Sequence, residues 1–193
     1  VLCIDNLSSG NFQNISHLKK NKKFIFINHD ILEPVKSTIL IHKIWHLASP
    51  ASPFFYQNDP INTLRVNYEG TYNLLNLAKS HNSKVLFTST SEVYGETKNN
   101  PQEENMPITL STFSPRACYS EGKRIAETLM NSYRTKYGLN IRIARIFNTY
   151  GPRLNLNDGR VISNFIKQCS HNEKLTNYGD GSQTRSFCYV SEL

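Results

Sequence analysis

The sequence lacks long hydrophobic runs: no stretch of about 18 apolar residues occurs, which excludes a membrane-spanning helix within these residues. It also lacks the charged, apolar and small-residue succession of a secretory signal. Its four cysteines are too far apart for a Cys-x-x-Cys ligand pair and too few for a dense disulfide framework. We expect free thiols in a reducing, cytoplasmic compartment and no metal site, while an anchor before residue 1 stays open.

Charge is also scarce, since charged residues make up only 19% of the chain, but the net charge is +7. The densest basic run lies in residues 19–23 and contains four lysines. A group of this size is typical of a solvated turn, so we expect no nucleic-acid partner. Hydrophobic residues reach 38% and aromatic residues 11%, which is enough for a core and excludes disorder as the main state.

Apolar strand patterns alternate with helical patterns along the chain. Strands are predicted at 1–4, 24–27, 43–48, 85–88, 141–146 and 185–190, and helices at 60–80, 115–137 and 159–170. Such alternation predicts the α/β class, with a doubly wound, Rossmann-like parallel sheet and right-handed crossovers.

The predicted sheet is incomplete, because the first strand and its Gly-x-x-Gly-x-x-Gly turn do not precede the first apolar run. We therefore expect an internal fragment of a longer enzyme. Residues 1–148 would form the dinucleotide-binding domain, and residues 149–193 would begin a small sugar-nucleotide-binding region.

Small and polar residues follow most of the predicted strands. They include Asp5-Asn6, Asp30, Ser49 and Asn148-Thr149. Doubly wound sheets bind ligands beyond the carboxyl ends of their strands, so these residues predict a cofactor crevice, although each alone is an ordinary strand end. Asp5 can hold the adenosine ribose hydroxyls and would repel a 2′-phosphate, which favours NAD over NADP.

The catalytic signal is Tyr119-x-x-x-Lys123, whose spacing puts both side chains on one helical face. A lysine ammonium near the phenol is expected to lower the pKa of Tyr119, which is otherwise about 10. The pair could then take a proton from a sugar hydroxyl while hydride leaves the same carbon. The run that follows a strand and contains Thr90, Ser91 and Glu92 could orient that hydroxyl.

Six strings carry a resemblance to a known family, and they are spread along the chain from residue 46 to residue 187. They are residues 46–53, 88–95, 118–124, 145–153, 158–161 and 178–187. The chain resembles the extended short-chain dehydrogenases/reductases that act on nucleotide sugars, and within them the UDP-glucuronate decarboxylases.

This resemblance implies a reaction on one sugar. NAD⁺ would take hydride from C4 of UDP-glucuronate with Tyr119 as base, the 4-keto acid would lose carbon dioxide, and C5 would be protonated. Return of the hydride gives UDP-xylose, but some relatives release the 4-keto-pentose, and the sequence leaves both endings open.

The resemblance also implies the site residues. Those expected to act in catalysis are Tyr119, Lys123, Thr90, Ser91, Glu92 and Arg185. Those expected to bind the cofactor are Asp5, Asn6, Ser9, Gly10, Asp30, Ile31, Leu47, Ala48, Ser49, Thr88, Tyr119, Lys123 and Thr149. Those expected to bind UDP-glucuronate are Arg65, Tyr94, Asn148, Arg160 and Arg185. Core packing is an equal alternative for Tyr94, and a surface position is the usual fate of any single arginine.

Three alternatives remain. Nucleotide-sugar 4,6-dehydratases carry Asp where this chain has Ser91, because loss of the C6 hydroxyl needs an acid, and an Asp would repel the glucuronate carboxylate. Epimerases normally lack the glutamate at Glu92. The third alternative is an inactive, truncated binding module, because the phosphate-binding turn is missing.

A homodimer is the expected assembly, since the helices at 60–80 and 115–137 pair with their twins in the superfamily that the chain resembles. Tyr68, Tyr72, Leu129 and Met130 are the candidate interface residues, with core positions as the alternative.

Overall fold

The computed structural model describes residues 1–97 and 101–193, and its strands and helices alternate as the α/β prediction requires. The strands are β1 (Leu2–Asp5), β2 (Ile25–Asn28), β3 (Lys43–His46), β4 (Lys84–Thr90), β5 (Ile141–Ile146), β6 (Asn148–Tyr150) and β7 (Phe187–Tyr189). The α-helices are α1 (Pro53–Asn58), α2 (Pro60–Arg65), α3 (Thr71–His81), α4 (Ala117–Tyr137) and α5 (Val161–Ser170). Shorter helical turns span Phe12–Leu18, Val66–Gly70 and Ser91–Tyr94.

Every strand pair in the described ranges is parallel, which confirms the predicted sheet type. Strands β3, β4 and β5 form a three-stranded sheet with β4 in the middle, while β1–β2 and β6–β7 form two separate pairs. Because neighbouring strands run in the same direction, their carboxyl ends open on one edge of each sheet.

The main core lies between the three-stranded sheet and helices α3 and α4. Its buried members are Ile44, Leu75, Leu77, Ala78, Val85, Phe87, Ala126, Met130, Tyr133, Leu139 and Ile141. On the opposite face of β3, Trp45 is 68% exposed, because successive residues of a strand point to opposite faces. A smaller cluster of Ile31, Val66 and Leu74, with Ile4 and Ala48 packed against it, joins the β1–β2 pair to the helices.

Element ends agree with the sequence predictions where local signals are strong. Helix α4 ends at Gly138, whose φ of +69° is the left-handed conformation expected of a C-terminal cap. The helix predicted at 60–80 is confirmed, because α2, the π-helical turn at Val66–Gly70 and α3 follow one another with helical backbone angles. The π-helical turn inside this helix was not predicted. Strand β6 and helix α1 were not predicted.

Candidate active site

Helix α4 places Tyr119 and Lys123 side by side in the protein interior. Only 6% of Tyr119 and 3% of Lys123 is exposed. The Lys123 Nζ donates a 2.9 Å hydrogen bond to the carbonyl oxygen of Thr88 and lies 6.0 Å from the Tyr119 ring centroid. Gly122, between them, lets α4 approach the π-helical turn, because a Cβ there would lie 3.1 Å from the Cβ of Asn67.

Burial shifts both pKa values away from the charged forms. It raises the pKa of Tyr119 to about 12, although a side-chain hydrogen bond with Thr90 and the charge of Arg160 act in the opposite direction. It lowers the pKa of Lys123 to about 7, opposed by the charge of Glu127. The prediction that the Tyr119 pKa is lowered is therefore wrong for this structure, because desolvation has the largest effect on it and Lys123 is not among the groups that shift it.

The segment after β4 brings the predicted hydroxyl and carboxylate groups to the same place. Thr90 caps the turn at Ser91–Tyr94 by accepting a 3.2 Å hydrogen bond from the backbone N–H of Glu92. The Glu92 carboxylate accepts 3.4 Å contacts from Arg116 and from the Ser120 hydroxyl. Burial raises the pKa of Glu92, and its charge in turn raises that of Tyr119. Ser120, which contacts Glu92, directly follows Tyr119 on α4.

Tyr94 packs its ring against an ion pair between Arg145 and Glu127. Its ring lies 4.8 Å from the guanidinium carbon of Arg145. Arg145 donates to both oxygens of Glu127, at 3.0 and 2.8 Å. The Ser89 hydroxyl donates to the same carboxylate at 2.5 Å. Tyr94 is buried, so these contacts fix its ring whichever of its two predicted roles it has.

Several residues predicted to bind the cofactor meet at the ends of β1 and β2. The Asn6 amide donates a 2.9 Å hydrogen bond to Asp30, and the Asp5 carboxylate accepts one of 2.6 Å from the backbone N–H of Leu7. A Cβ at Gly10 would lie 3.4 Å from Asp5 Oδ1, so glycine keeps the space beside that carboxylate open.

A cleft of about 340 Å³ adjoins this edge. It is lined by three predicted residues, Ser9, Ser49 and Arg160. The remaining lining residues were missed by the sequence analysis: Asn11, Asn14, Ala51, Ser52, Phe55, Arg153, Leu154, Asn155 and Asp158. Arg153 crosses the cleft and donates a 2.8 Å hydrogen bond to the carbonyl oxygen of Asn14. The sequence signal that could have identified Arg153 is its position in the 145–153 string.

The other predicted residues lie outside the cleft lining. Ile31 is buried against Val66 and Leu74 in the smaller cluster, with Ala48 packed nearby, while Leu47 is exposed. Thr88 supplies the carbonyl that Lys123 contacts.

The residues predicted to bind the substrate lie at separate places and do not form one group. Arg65 forms a two-pronged ion pair with Glu69 on the helix surface, and Arg185 is exposed and bonds to the carbonyl of Thr184. Asn148 donates to the carbonyl oxygen of Ser186, and Thr149 lies beside Cys188 in the β6–β7 pair. Arg160 pairs with Asp158 at the cleft.

Within residues 1–97 and 101–193, no group of three or more His, Cys, Asp or Glu side chains is placed to hold a metal ion. No helix among the same residues is long and apolar enough to cross a membrane.

Comparison with known proteins agrees with this arrangement. The chain is 49% identical over all 193 residues to UDP-glucuronic acid decarboxylase 1 of Xenopus tropicalis, of which it covers 45%. It is 49% identical over the same length to UDP-glucuronic acid decarboxylase 3 of Arabidopsis thaliana, of which it covers 56%. The chain therefore spans about half the length of the curated relatives it matches.

Among solved structures, the whole chain superimposes on 62% of the UDP-glucuronic acid 4-epimerase of Bacillus cereus, solved in complex with UDP-glucuronic acid and NAD. The TM-score is 0.85 and the sequence identity 32%. The sequence model of the NAD dependent epimerase/dehydratase family matches residues 1–193. With the Tyr119–Lys123 pair at the carboxyl edge of a parallel sheet, the chain belongs to the NAD dependent epimerase/dehydratase family.

Proposed function

We propose that the full-length protein is an NAD-dependent decarboxylase that converts UDP-glucuronate to UDP-xylose through a 4-keto intermediate. The observation that carries this is the buried grouping of Tyr119, Lys123 and Thr90 next to Glu92, with Ser91 where a dehydratase would have an acid. Decarboxylases at 49% identity support the same substrate.

The residues at the carboxyl edge fit an NAD molecule. The Asp5 carboxylate is exposed beside Gly10, as an acceptor for ribose hydroxyls requires. The Ser52 hydroxyl is buried in the cleft wall without a hydrogen-bond partner, so it is free to pair with a polar group there. We infer that Asp5, Ser9 and Ser49 hold the cofactor, whose chemical contribution when bound would be to accept the hydride from C4 and to return it to C4 after carbon dioxide has left.

Tyr119 is the base for the C4 hydroxyl in this proposal. Because its pKa is about 12 in the buried site, the phenol is protonated until neighbouring groups favour the phenolate. Thr90 and Arg160 already act in that direction. Lys123 uses one of its three N–H donors on Thr88 and keeps two for a ligand hydroxyl.

Glu92 supplies the second proton-transfer group. Burial raises its pKa, which makes the carboxyl group a better holder of a proton than an exposed glutamate. The step that needs such a proton is the protonation of C5 after carbon dioxide has left. The β-keto acid itself loses carbon dioxide without an acid at C6, so Ser91 suffices where a dehydratase needs Asp.

The test uses full-length protein with UDP-glucuronate and NAD⁺, and measures carbon dioxide and UDP-xylose together. We expect both products, and we expect Ser91→Asp to weaken UDP-glucuronate binding through repulsion between carboxylates. Dehydration of a 6-hydroxy sugar nucleotide with no turnover of UDP-glucuronate would favour the dehydratase. Formation of UDP-galacturonate would favour an epimerase like that of Bacillus cereus. A protein without turnover of any of these would be the inactive binding module.

We further propose that the protein is a homodimer and lies in a reducing, cytoplasmic compartment. Four free cysteines support the second expectation. For the first, Tyr68 and Tyr72 are nearly half exposed on the surface of the π-helical turn and α3. Of the other two candidates, Met130 is fully buried and Leu129 packs against the core, so the core alternative holds for both.

A further inference from the structure

Tyr56 lies directly against the proposed base. Its ring is parallel to that of Tyr119, with 4.9 Å between the ring centroids and 3° between the ring planes. Together with Cys118, the two tyrosines form a separate buried cluster between α1 and α4. Tyr56 is completely buried, and the proposed proton transfers do not involve it.

The backbone of Tyr56 is fixed from three sides. Its carbonyl oxygen accepts hydrogen bonds from the Thr63 hydroxyl at 3.2 Å and from the Cys118 thiol at 3.5 Å. Its N–H donates to the carbonyl of Ser52 at 3.0 Å, which closes the first turn of α1. Thr63 belongs to α2 and Cys118 to α4, so two neighbouring helices fix the backbone from which the Tyr56 ring projects.

The hydroxyl group does not explain why a tyrosine is buried at position 56. It is buried and has no hydrogen-bond partner among the described atoms, an arrangement that opposes folding. Burial and the nearby Glu92 carboxylate both raise its pKa, so the group stays a neutral phenol. The part of Tyr56 that affects the site is therefore its flat ring, which faces Tyr119.

We propose that Tyr56 is a positioning residue: its stacked ring holds the Tyr119 phenol in one plane and keeps the Tyr119 hydroxyl directed to Thr90. This rests on the proposed role of Tyr119 as the base. The χ2 torsion of tyrosine has a broad energy minimum, so the ring can rotate about χ2 when no flat neighbour packs against it. A proton acceptor must stay within hydrogen-bond reach of the group it serves, and small displacements at this point reduce turnover strongly.

Substitutions at Tyr56 in the full-length protein separate the ring from the hydroxyl. Tyr56→Phe keeps the stack, and we expect its kcat to stay within about threefold of the wild type. Tyr56→Met and Tyr56→Leu both replace the flat ring by an aliphatic side chain, and the two replacements have similar volumes. For both we expect kcat for carbon dioxide release to fall roughly 10- to 100-fold while KM changes little.

A matched control accounts for lost packing. Met130 lies on α4, as Tyr119 does, and is fully buried in the main core away from Tyr119. Met130→Ala should therefore lower the stability of the protein and leave kcat within about threefold of the wild type. If Met130→Ala and Tyr56→Met lower kcat equally, the effect of Tyr56 is general packing and the positioning role is wrong. Tyr56→Met also remains informative if Tyr56→Leu does not fold, because the unbranched Met side chain adapts better to an irregular space.

A second readout does not depend on activity. NMR of ring-labelled tyrosine, with the Tyr119 signal assigned from Tyr119→Phe, reports how fast the Tyr119 ring flips. We expect slow flipping in the wild type and Tyr56→Phe, and faster flipping in Tyr56→Met. Unchanged flipping in Tyr56→Met overturns the positioning role. A wild type that lacks decarboxylase activity but shows the expected change in flipping overturns the proposed function and leaves the stack's role intact.

Discussion

Lys123 and Tyr119 show at the residue scale how one buried environment acts on two groups of opposite charge. Removal from water disfavours each ionised form, so the lysine pKa falls to about 7 and the tyrosine pKa rises to about 12. The same burial therefore favours the neutral phenol of Tyr119 and weakens the hold of Lys123 on its proton.

The first prediction concerns the pH dependence of stability at Lys123. The unfolded chain keeps this proton up to its ordinary pKa of about 10.4, whereas the folded protein releases it near pH 7. Between these values the unfolded state binds more protons, so the unfolding free energy rises with pH and the buried charge is most unfavourable below pH 7. Lys123→Met should therefore gain stability relative to wild type at pH 6 and lose that gain by pH 10. Urea unfolding of full-length protein at both pH values measures this, and an equal difference at both would contradict it.

The second prediction concerns Glu92. Glu92→Gln removes the proposed proton donor to C5 but keeps the shape of the side chain. We expect kcat for UDP-glucuronate to fall by about 10²- to 10⁴-fold while the substrate still binds. Glu121→Gln is the control, because that carboxylate lies on α4 and pairs with Arg124. Steady-state kinetics and calorimetric binding test the pair; a Glu92→Gln enzyme as fast as Glu121→Gln would rule out the role.

At the scale of elements, strand β4, helix α4 and strand β5 are tied together by Ser89, Glu127 and Arg145. The two charged side chains are only 14% and 21% exposed and share two hydrogen bonds. Breaking such a pair by removing one partner leaves a partly buried charge without compensation.

The third prediction follows from that ion pair. Glu127→Gln should lower the unfolding free energy by about 2–4 kcal/mol, since Arg145 and Ser89 both lose their charged acceptor. Glu69→Gln removes an exposed pair with Arg65 and should cost less than about 1 kcal/mol. Urea unfolding of both variants compares them directly. Equal costs would mean that burial contributes nothing to the Glu127–Arg145 pair.

Sequence patterns predicted those elements whose signals are local. Strands β3 and β4 contain apolar runs, β5 carries isoleucines at 141, 143 and 146, and Gly138 marks the end of α4. The π-helical turn has no such signal, because Val66 packs on Ile31 and Leu74 while Asn67 bonds to Ser49 and lies against Gly122. Those partners come from different parts of the chain and become neighbours only on folding.

The site was predictable to a similar degree. Tyr119, Lys123 and Thr90 were found from spacing and neighbouring strings, and the structure brings them together. Tyr56 was missed because a stacking contact between residues 63 positions apart leaves no periodic trace. The pKa of Tyr119 was misjudged because a sequence shows a neighbouring lysine but not the degree of burial.

At the scale of the whole molecule, exposed aromatic residues gather on one surface of the π-helical turn, α3 and α4. Tyr68 and Tyr72 are 45% and 46% exposed, and the Tyr72 ring lies 6.3 Å from that of Tyr133. The next ring along α4, Tyr137, is 5.2 Å from Tyr133 and is covered by the Lys79 ammonium at 4.0 Å. Exposed apolar side chains that lie together on a surface often mark an interaction site.

The last prediction is that this aromatic surface joins two copies of the protein. The double variant Tyr68→Arg with Tyr72→Arg would place like charges across a two-fold interface, where each patch faces its own copy. We expect wild-type full-length protein to be a dimer by light scattering at micromolar concentration, and the double variant to be a folded monomer. Phe113→Arg is the matched control, because Phe113 is 97% exposed and lies on a separate loop, so its replacement should leave the dimer intact. A double variant that remains dimeric, with circular dichroism unchanged, would place the interface elsewhere on the molecule, since two arginines could not be tolerated at its centre.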